Sequence, residues 1–275
     1  MTLRAKLNYY WRLIATALSF ALFGIGGVII PAVATPVLCL FAPDKRRILA
    51  RKLVHLSFKS FVYIMRGLGI LRWDITGIEK LKRNHGLILA NHPTLIDVVF
   101  LVALIPNANC LVKGRLLSNP AMRGFISLAG YITNDDSSSL LNPANDTDGL
   151  LVIFPEGTRS TVGQPLKMQR GAANIAIRKE MNITPVMIQC TPATLSKQHK
   201  WYHIPERAFV ISITVNNDID IAQYLDVPAT LAARQLTKYL EQYFSQENPV
   251  YEQPVTNSGT ESPIDSSLGL GRYIN

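Results

Sequence analysis

Thirty consecutive residues without a charged side chain, Leu13 to Ala42, constrain this 275-residue chain more than any other feature. As one helix the run would be about 45 Å long, more than the roughly 30 Å hydrocarbon core of a bilayer. Gly24, Gly26, Gly27, Pro31 and Pro36 interrupt it near its middle and end, and this spacing predicts two shorter helices. Basic residues flank both sides: Arg4, Lys6 and Arg12 before, Lys45, Arg46, Arg47, Arg51 and Lys52 after. Because positive charge stays cytoplasmic, two basic flanks fit a re-entrant, membrane-embedded helical hairpin with both ends inside. A single tilted span is the alternative. A cleaved signal peptide fits less well, since the run is too long and no small-residue cleavage site stands out before the basic cluster. Just beyond, Arg47, Arg51, His55 and Lys59 recur every four residues. They read as a basic amphipathic helix at an anionic membrane surface, or as a solvated face on an ordinary core helix.

Composition agrees with a membrane setting. Hydrophobic residues make up 48% and charged residues only 17%, against roughly 25% charged in ordinary soluble domains. With a mean hydropathy of +0.16 the chain as a whole is not disordered. The net charge of +9 calls for an anionic partner, lipid or nucleic acid. Its distribution favours lipid: residues 1–125 hold 17 of the Lys and Arg but 4 of the Asp and Glu, so the basic half is also the apolar half. No nucleic-acid partner is expected. Cys39, Cys110 and Cys190 are scattered and odd in number, which indicates neither a disulfide framework nor a zinc site and fits a reducing compartment.

From Trp73 the pattern changes. Asp74–Thr76, Gly86–Ala90, Asn109–Val112, Leu150–Phe154, Thr184–Cys190 and Ala208–Val215 read as strands. Val98–Ile105, Leu116–Leu128, Gln169–Glu180 and Ala229–Phe244 read as helices. This alternation predicts an α/β layered domain over residues 73–244, its mostly parallel sheet flanked by helices, behind a membrane-embedded and amphipathic region at 1–72. Residues 245–275 lose all periodicity and are rich in Pro, Ser, Asn and Thr, so a disordered tail is expected there.

Two motifs carry chemistry. NHPTLID, residues 91–97, follows the apolar strand GLILA. Pro93 suits the first position of a helix, which puts His92 at the strand-to-helix turn and Asp97 in the early helix. Outside the helix, His92 can converge with Asp97; a carboxylate on one imidazole nitrogen fixes the tautomer and leaves the other as a base. The plainer alternative is a His at the N-cap beside a first-turn Asp that complements the helix dipole. FPEGTRS, residues 154–160, follows the strand LLVIF. Gly157 permits a tight turn or close ligand approach, Arg159 offers a planar fork for phosphate or carboxylate, and Glu156 could hold that fork. A loop with an exposed ion pair is the alternative.

Together and in this order, an Asn-His-x-x-x-x-Asp block and Phe-Pro-Glu-Gly-Thr-Arg-Ser some sixty residues later resemble the glycerolipid (lysophospholipid) acyltransferase family, whose best-known members are the 1-acylglycerol-3-phosphate acyltransferases. Residues 111–132 resemble its second block through Lys113, Leu116, Pro120, Gly124 and Gly130, and residues 183–188 its fourth through Pro185. The stretch 166–176 fits its basic-Gly-Ala segment, so the resemblance covers roughly residues 75–215. The resemblance implies that His92 is the general base and Asp97 orients it, with a lysophospholipid hydroxyl attacking the thioester of acyl-carrier protein (ACP) or acyl-coenzyme A (CoA). Glu156, Gly157, Thr158 and Arg159 would position the acceptor's polar head, with Lys113 as a further cation. A backbone amide near the two motifs would stabilise the oxyanion. No cofactor beyond the thioester co-substrate, no metal and no covalent intermediate is expected.

One departure bears on the acceptor. Where family members acting on glycerophosphates commonly carry a basic residue, this chain has Asn134, Asp135 and Asp136, and Arg115 replaces an acidic residue. A lyso-ornithine-type or other specialised acceptor is therefore an alternative to 1-acylglycerol-3-phosphate. Two rival classes remain: a lipid hydrolase, for which Gly-x-Ser-x-Gly and His-Glu-x-x-His are both missing from the sequence, and a non-catalytic membrane scaffold. The expected setting is a bacterial-type inner membrane with the active domain on its cytoplasmic side.

Overall fold

The computed structural model describes residues 3–135, 149–161 and 164–247. The uncharged run is not a hairpin. It forms one continuous helix, α1 (Leu3–Leu38), about 54 Å long. The chain reverses only at residues 39–42, where Pro43 opens α2 (Pro43–Gly67). The residues expected to break the run instead pack it. A Cβ on Gly27 would come within 2.1 Å of the Ala121 carbonyl oxygen, and buried Pro31 faces Gly124. The small residues thus let α1 lie close against α4 (Pro120–Ala129), and this contact offsets the hydrogen bond that Pro31 cannot donate.

The basic stripe of α2 is also corrected. Arg51 and His55 are buried. Arg51 Nε donates to the Ala129 carbonyl at 3.1 Å and its Nη1 to Asn107 Oδ1 at 3.2 Å, while His55 Nδ1 donates to the Val102 carbonyl at 2.9 Å. Ile48, Leu56, Tyr63 and Ile64 are exposed instead. Two of the four stripe residues therefore bind the body rather than a membrane surface.

Beyond α2 the expected alternation holds. The strands are β1 (Leu71–Thr76), β2 (His85–Ala90), β3 (Ala108–Val112), β4 (Ile132–Thr133), β5 (Gly149–Ile153), β6 (Ile183–Thr191) and β7 (Phe209–Val215). The remaining helices are α3 (Asp97–Leu104), α5 (Gly171–Arg178) and α6 (Ala229–Glu247). The strand order is β1-β7-β6-β2-β5-β3-β4, parallel throughout except for β6 with β7. The two-residue strand β4 carries too little pattern to be seen in the sequence. The expected helix at 116–128 divides into a 3-10 turn, Gly114–Ser118, and α4, because Pro120 starts a new helix and Asn119 caps it by accepting from the Ala121 amide.

Strand side chains alternate between two apolar layers. Ile88 and Ala90 join the layer under α2, α3 and α4, whereas Leu87 and Leu89 join the layer under α5 and α6. Burial on both faces explains why the central strands read as unbroken apolar runs. Helix α6 continues through Glu247, so residues 245–247 are helical; the rest of the expected tail lies outside the described residues.

Candidate active site

The site lies at the carboxyl ends of β2 and β5, adjacent parallel strands, which is where ligands bind in open α/β sheets. Asn91 leaves β2 fully buried and grips the backbone of Ile188 on β6 twice, its Nδ2 donating to the carbonyl at 2.8 Å and its Oδ1 accepting from the amide at 2.7 Å. This fixes the turn carrying His92. The turn then enters α3 with Asp97 in its first turn.

His92 and Asp97 do converge. His92 Nδ1 donates to Asp97 Oδ2 at 2.8 Å. The carboxylate has no exposure and also accepts from the Thr94 amide at 2.6 Å and from the Thr94 hydroxyl. Three donors on one buried carboxylate hold it in a single orientation. Because Nδ1 must carry the proton, Nε2 is left as the basic nitrogen, and it makes no hydrogen bond among the described residues. The imidazole rests against the Phe154 ring, centroids 4.6 Å apart, and keeps 18% of its side-chain surface exposed.

The two motifs are tied together through Glu156. Its Oε1 accepts from the His92 amide at 3.0 Å and from the Ser160 hydroxyl at 2.8 Å, while the Ser160 amide donates to the His92 carbonyl at 2.7 Å. Burial pushes the Glu156 carboxyl above its ordinary value, and these hydrogen bonds only partly counter it. Gly157 turns the loop with φ +63°, a conformation favouring glycine, and its amide closes the turn on the Phe154 carbonyl at 3.0 Å.

A family model described as Acyltransferase matches residues 72–189, the stretch holding both motifs and the sheet that joins them. Over that stretch the chain is similar to the acyltransferase family. A 1-acyl-sn-glycerol-3-phosphate acyltransferase of Saccharomyces cerevisiae is 26% identical over 212 residues, covering 72% of this chain and 66% of that protein. The beta form of Homo sapiens is 24% identical over 63% of this chain and 64% of its own length. The Pseudomonas aeruginosa enzyme of the same name is 27% identical over 46% of this chain and 52% of its own. The chain thus spans between half and two thirds of the length of these relatives. Its fold is that of the Thermotoga maritima 1-acyl-sn-glycerophosphate (LPA) acyltransferase PlsC, with a TM-score of 0.66, 18% identity, and coverage of 86% of this chain and 95% of that one.

Not every candidate residue is placed as expected. Glu156 does not hold the Arg159 fork; it holds the backbone of His92. Arg159 Nη1 donates instead to the carbonyls of Leu195 and Ser196, each at 2.9 Å. The Leu195 carbonyl also accepts from the Leu95 amide at 3.0 Å, so Arg159 ties the segment after β6 to the histidine turn. Leu195 reaches this position with φ +53°. Thr158 is exposed at the loop tip. Lys113 follows β3 on the same carboxyl edge, two strands from β2. Asn134 and Asp135 follow β4 beside it, with Asn134 Oδ1 accepting from the Gly114 amide at 2.8 Å. Asp136 lies outside the described residues.

Sequence reasoning missed Asn91, Thr94 and Ser160 as working residues although all three stand inside the quoted motifs. A polar side chain between apolar strand and helix is the signal that could have found Asn91 and Thr94. Nothing local marks Leu195, because its part is a backbone carbonyl.

Proposed function

We propose that this protein transfers a fatty acyl group from an acyl-ACP or acyl-CoA thioester to the hydroxyl of a lysophospholipid of the 1-acylglycerol-3-phosphate class. The observation that carries this reading is the His92–Asp97 pair, with Nδ1 committed and Nε2 open at the carboxyl edge of the sheet. The acceptor hydroxyl loses its proton to Nε2 as its oxygen attacks the thioester carbonyl carbon. Collapse of the tetrahedral intermediate breaks the C–S bond, and the imidazolium returns the proton to the departing thiolate. Asp97 stabilises the imidazolium in between, in the manner of the carboxylate of a catalytic triad. The histidine and carboxylate account for both proton transfers, so the reading takes neither cofactor nor metal. Lys113 and Thr158 serve the acceptor head from the same edge, while Glu156, Gly157 and Arg159 shape the loop around it.

Membrane association belongs to the same reading. Helix α1 is long and apolar enough to cross a bilayer, and its outward face presents Leu7, Ile14, Leu18, Ile25, Ile29 and Val33. Its inner face packs on the body from Trp11, whose Nε1 donates to the Leu68 carbonyl at 2.9 Å, to Pro31 on α4. Helix and body therefore meet the bilayer together, with the catalytic domain on the cytoplasmic side of a bacterial-type inner membrane.

A second reading of the acceptor rests on Asp135 beside Lys113 at the edge of the site. A carboxylate there disfavours a phosphomonoester head by about 1 kcal/mol in partly screened surroundings. That favours a zwitterionic or neutral lyso-lipid.

The test of the activity is His92→Ala in a thioester-release assay, with circular dichroism as the folding control. A folded His92→Ala protein turning over at near the native rate ends the proposal.

A further inference from the structure

An amphipathic groove lies away from the catalytic edge. It runs between the second half of α1, the start of α2, and α4, with a volume of about 770 Å³. Its apolar wall includes Val28, Pro31 and Ala32 of α1, and three arginines line it: Arg46 and Arg47 from α2 and Arg123 from α4. All three are exposed. Among the described residues the ion pairs are Arg83 with Asp218 and His92 with Asp97, so none of the three is neutralised by a carboxylate. Asp44, in the same turn of α2, makes no ion pair with them.

The groove is separate from the acyltransferase site. One turn along α2 from Arg47, Arg51 holds the side chain of Asn107, which precedes β3 at the amino end of the sheet. His92 follows β2 at the carboxyl end. Helix α1 likewise runs from Trp11, near the carboxyl edge, to Leu38 beside this groove.

Arg46 Nη1 donates to Cys39 Sγ at 4.0 Å, but three guanidinium groups with no carboxylate partner among the described residues, next to an apolar wall, ask for one kind of occupant, an amphiphile with an anionic head. A free phosphate would leave the wall wet, and a zwitterionic lipid would leave the net positive charge uncompensated. The outward face of α1 is apolar along the same length, so the groove opens where lipid chains are available. We propose that this groove holds one anionic phospholipid, its phosphate on Arg46, Arg47 and Arg123 and its acyl chains against Val28, Pro31 and Ala32. The proposal does not depend on acyl transfer, only on contact with lipid.

The test is titration of the full-length detergent-solubilised protein with phosphatidylglycerol or phosphatidylcholine, read by native mass spectrometry. The expected result is a one-to-one phosphatidylglycerol adduct at least tenfold tighter than the phosphatidylcholine adduct. Arg46→Gln, Arg47→Gln and Arg123→Gln combined should weaken it at least tenfold. Ala32→Trp, which keeps all three charges and fills the groove, should weaken it similarly. Lys52→Gln with Lys59→Gln, exposed cations of α2 outside the groove, and His92→Ala should both leave it unchanged. Equal binding of the two lipids overturns the proposal, as does an indifferent triple variant. Indifference of Ala32→Trp overturns it in favour of diffuse surface charge. Loss of the adduct in His92→Ala would place the lipid in the active site instead, and full displacement by millimolar inorganic phosphate would make this a phosphate site.

Discussion

Asp97→Asn isolates the charge of the orienting carboxylate, because the surroundings of that side chain decide how an amide must sit. The Oδ2 position faces two donors, the Thr94 amide at 2.6 Å and His92 Nδ1 at 2.8 Å. A backbone amide can only donate, so the oxygen of the introduced carboxamide must take the Oδ2 position. Its NH2 group then faces the Thr94 hydroxyl, which can accept as readily as it donates. The Nδ1–H tautomer of His92 therefore survives, and only the charge is lost. A hydrogen bond to a charged group contributes about 1.5–3 kcal/mol, twice or more the contribution of a neutral one. We expect a loss in turnover of about 2–3 kcal/mol, roughly 30- to 150-fold, through a less stabilised imidazolium. The His92→Ala loss should be larger. Thiol release from an acyl thioester with a lysophospholipid acceptor measures turnover, and thermal melting monitored by circular dichroism checks the fold. A loss of about ten-thousand-fold would mean that the amide flips and imposes the wrong tautomer, which refutes the anchoring role of the Thr94 amide. Turnover within twofold of wild type would refute the charge itself.

Other expectations follow from the same geometry. Glu156→Gln can still accept from the His92 amide and the Ser160 hydroxyl without burying a charge. Since the Glu156 carboxyl is raised by folding, its contribution is most favourable below the unfolded value and falls as pH rises to the folded one. The melting temperature of Glu156→Gln relative to wild type should therefore climb with pH across the acid range and then level; a constant or falling difference would contradict this. Among the cysteines, exposed Cys39 should label with a maleimide at neutral pH, while Cys110 and Cys190, each pushed by burial to about 12, should stay unmodified until the protein unfolds; mass spectrometry of labelled peptides decides. Gly27→Leu must force α1 from the Ala121 carbonyl and should destabilise by about 1–3 kcal/mol, seen as a lower melting temperature. Asp135→Arg should raise turnover with 1-acylglycerol-3-phosphate several-fold over wild type if this edge receives the acceptor head, and unchanged rates would remove the second reading of the acceptor.

Chemistry carried by local sequence was legible. Apolar strands followed by turn residues placed His92 and the FPEGTRS loop at strand ends, and the alternation of strand and helix implied the parallel sheet that brings those ends together. A parallel sheet puts equivalent ends on one edge, so two motifs after two strands converge without any further information. What the sequence could not decide was direction and partner. The prolines and glycines of α1 signal a break when the helix is considered alone, but α4 packs against them and the helix continues. The repeat of Arg47, Arg51, His55 and Lys59 shows that they share a face of α2, yet which face meets the body depends on where Asn107, Val102 and Ala129 lie. Glu156 and Arg159 are three residues apart and of opposite charge, and only the folded loop sends one to the backbone of His92 and the other to the carbonyls of Leu195 and Ser196. Residue type and spacing set what a side chain is able to bond; the tertiary structure selects which of the competing donors and acceptors comes within hydrogen-bonding reach.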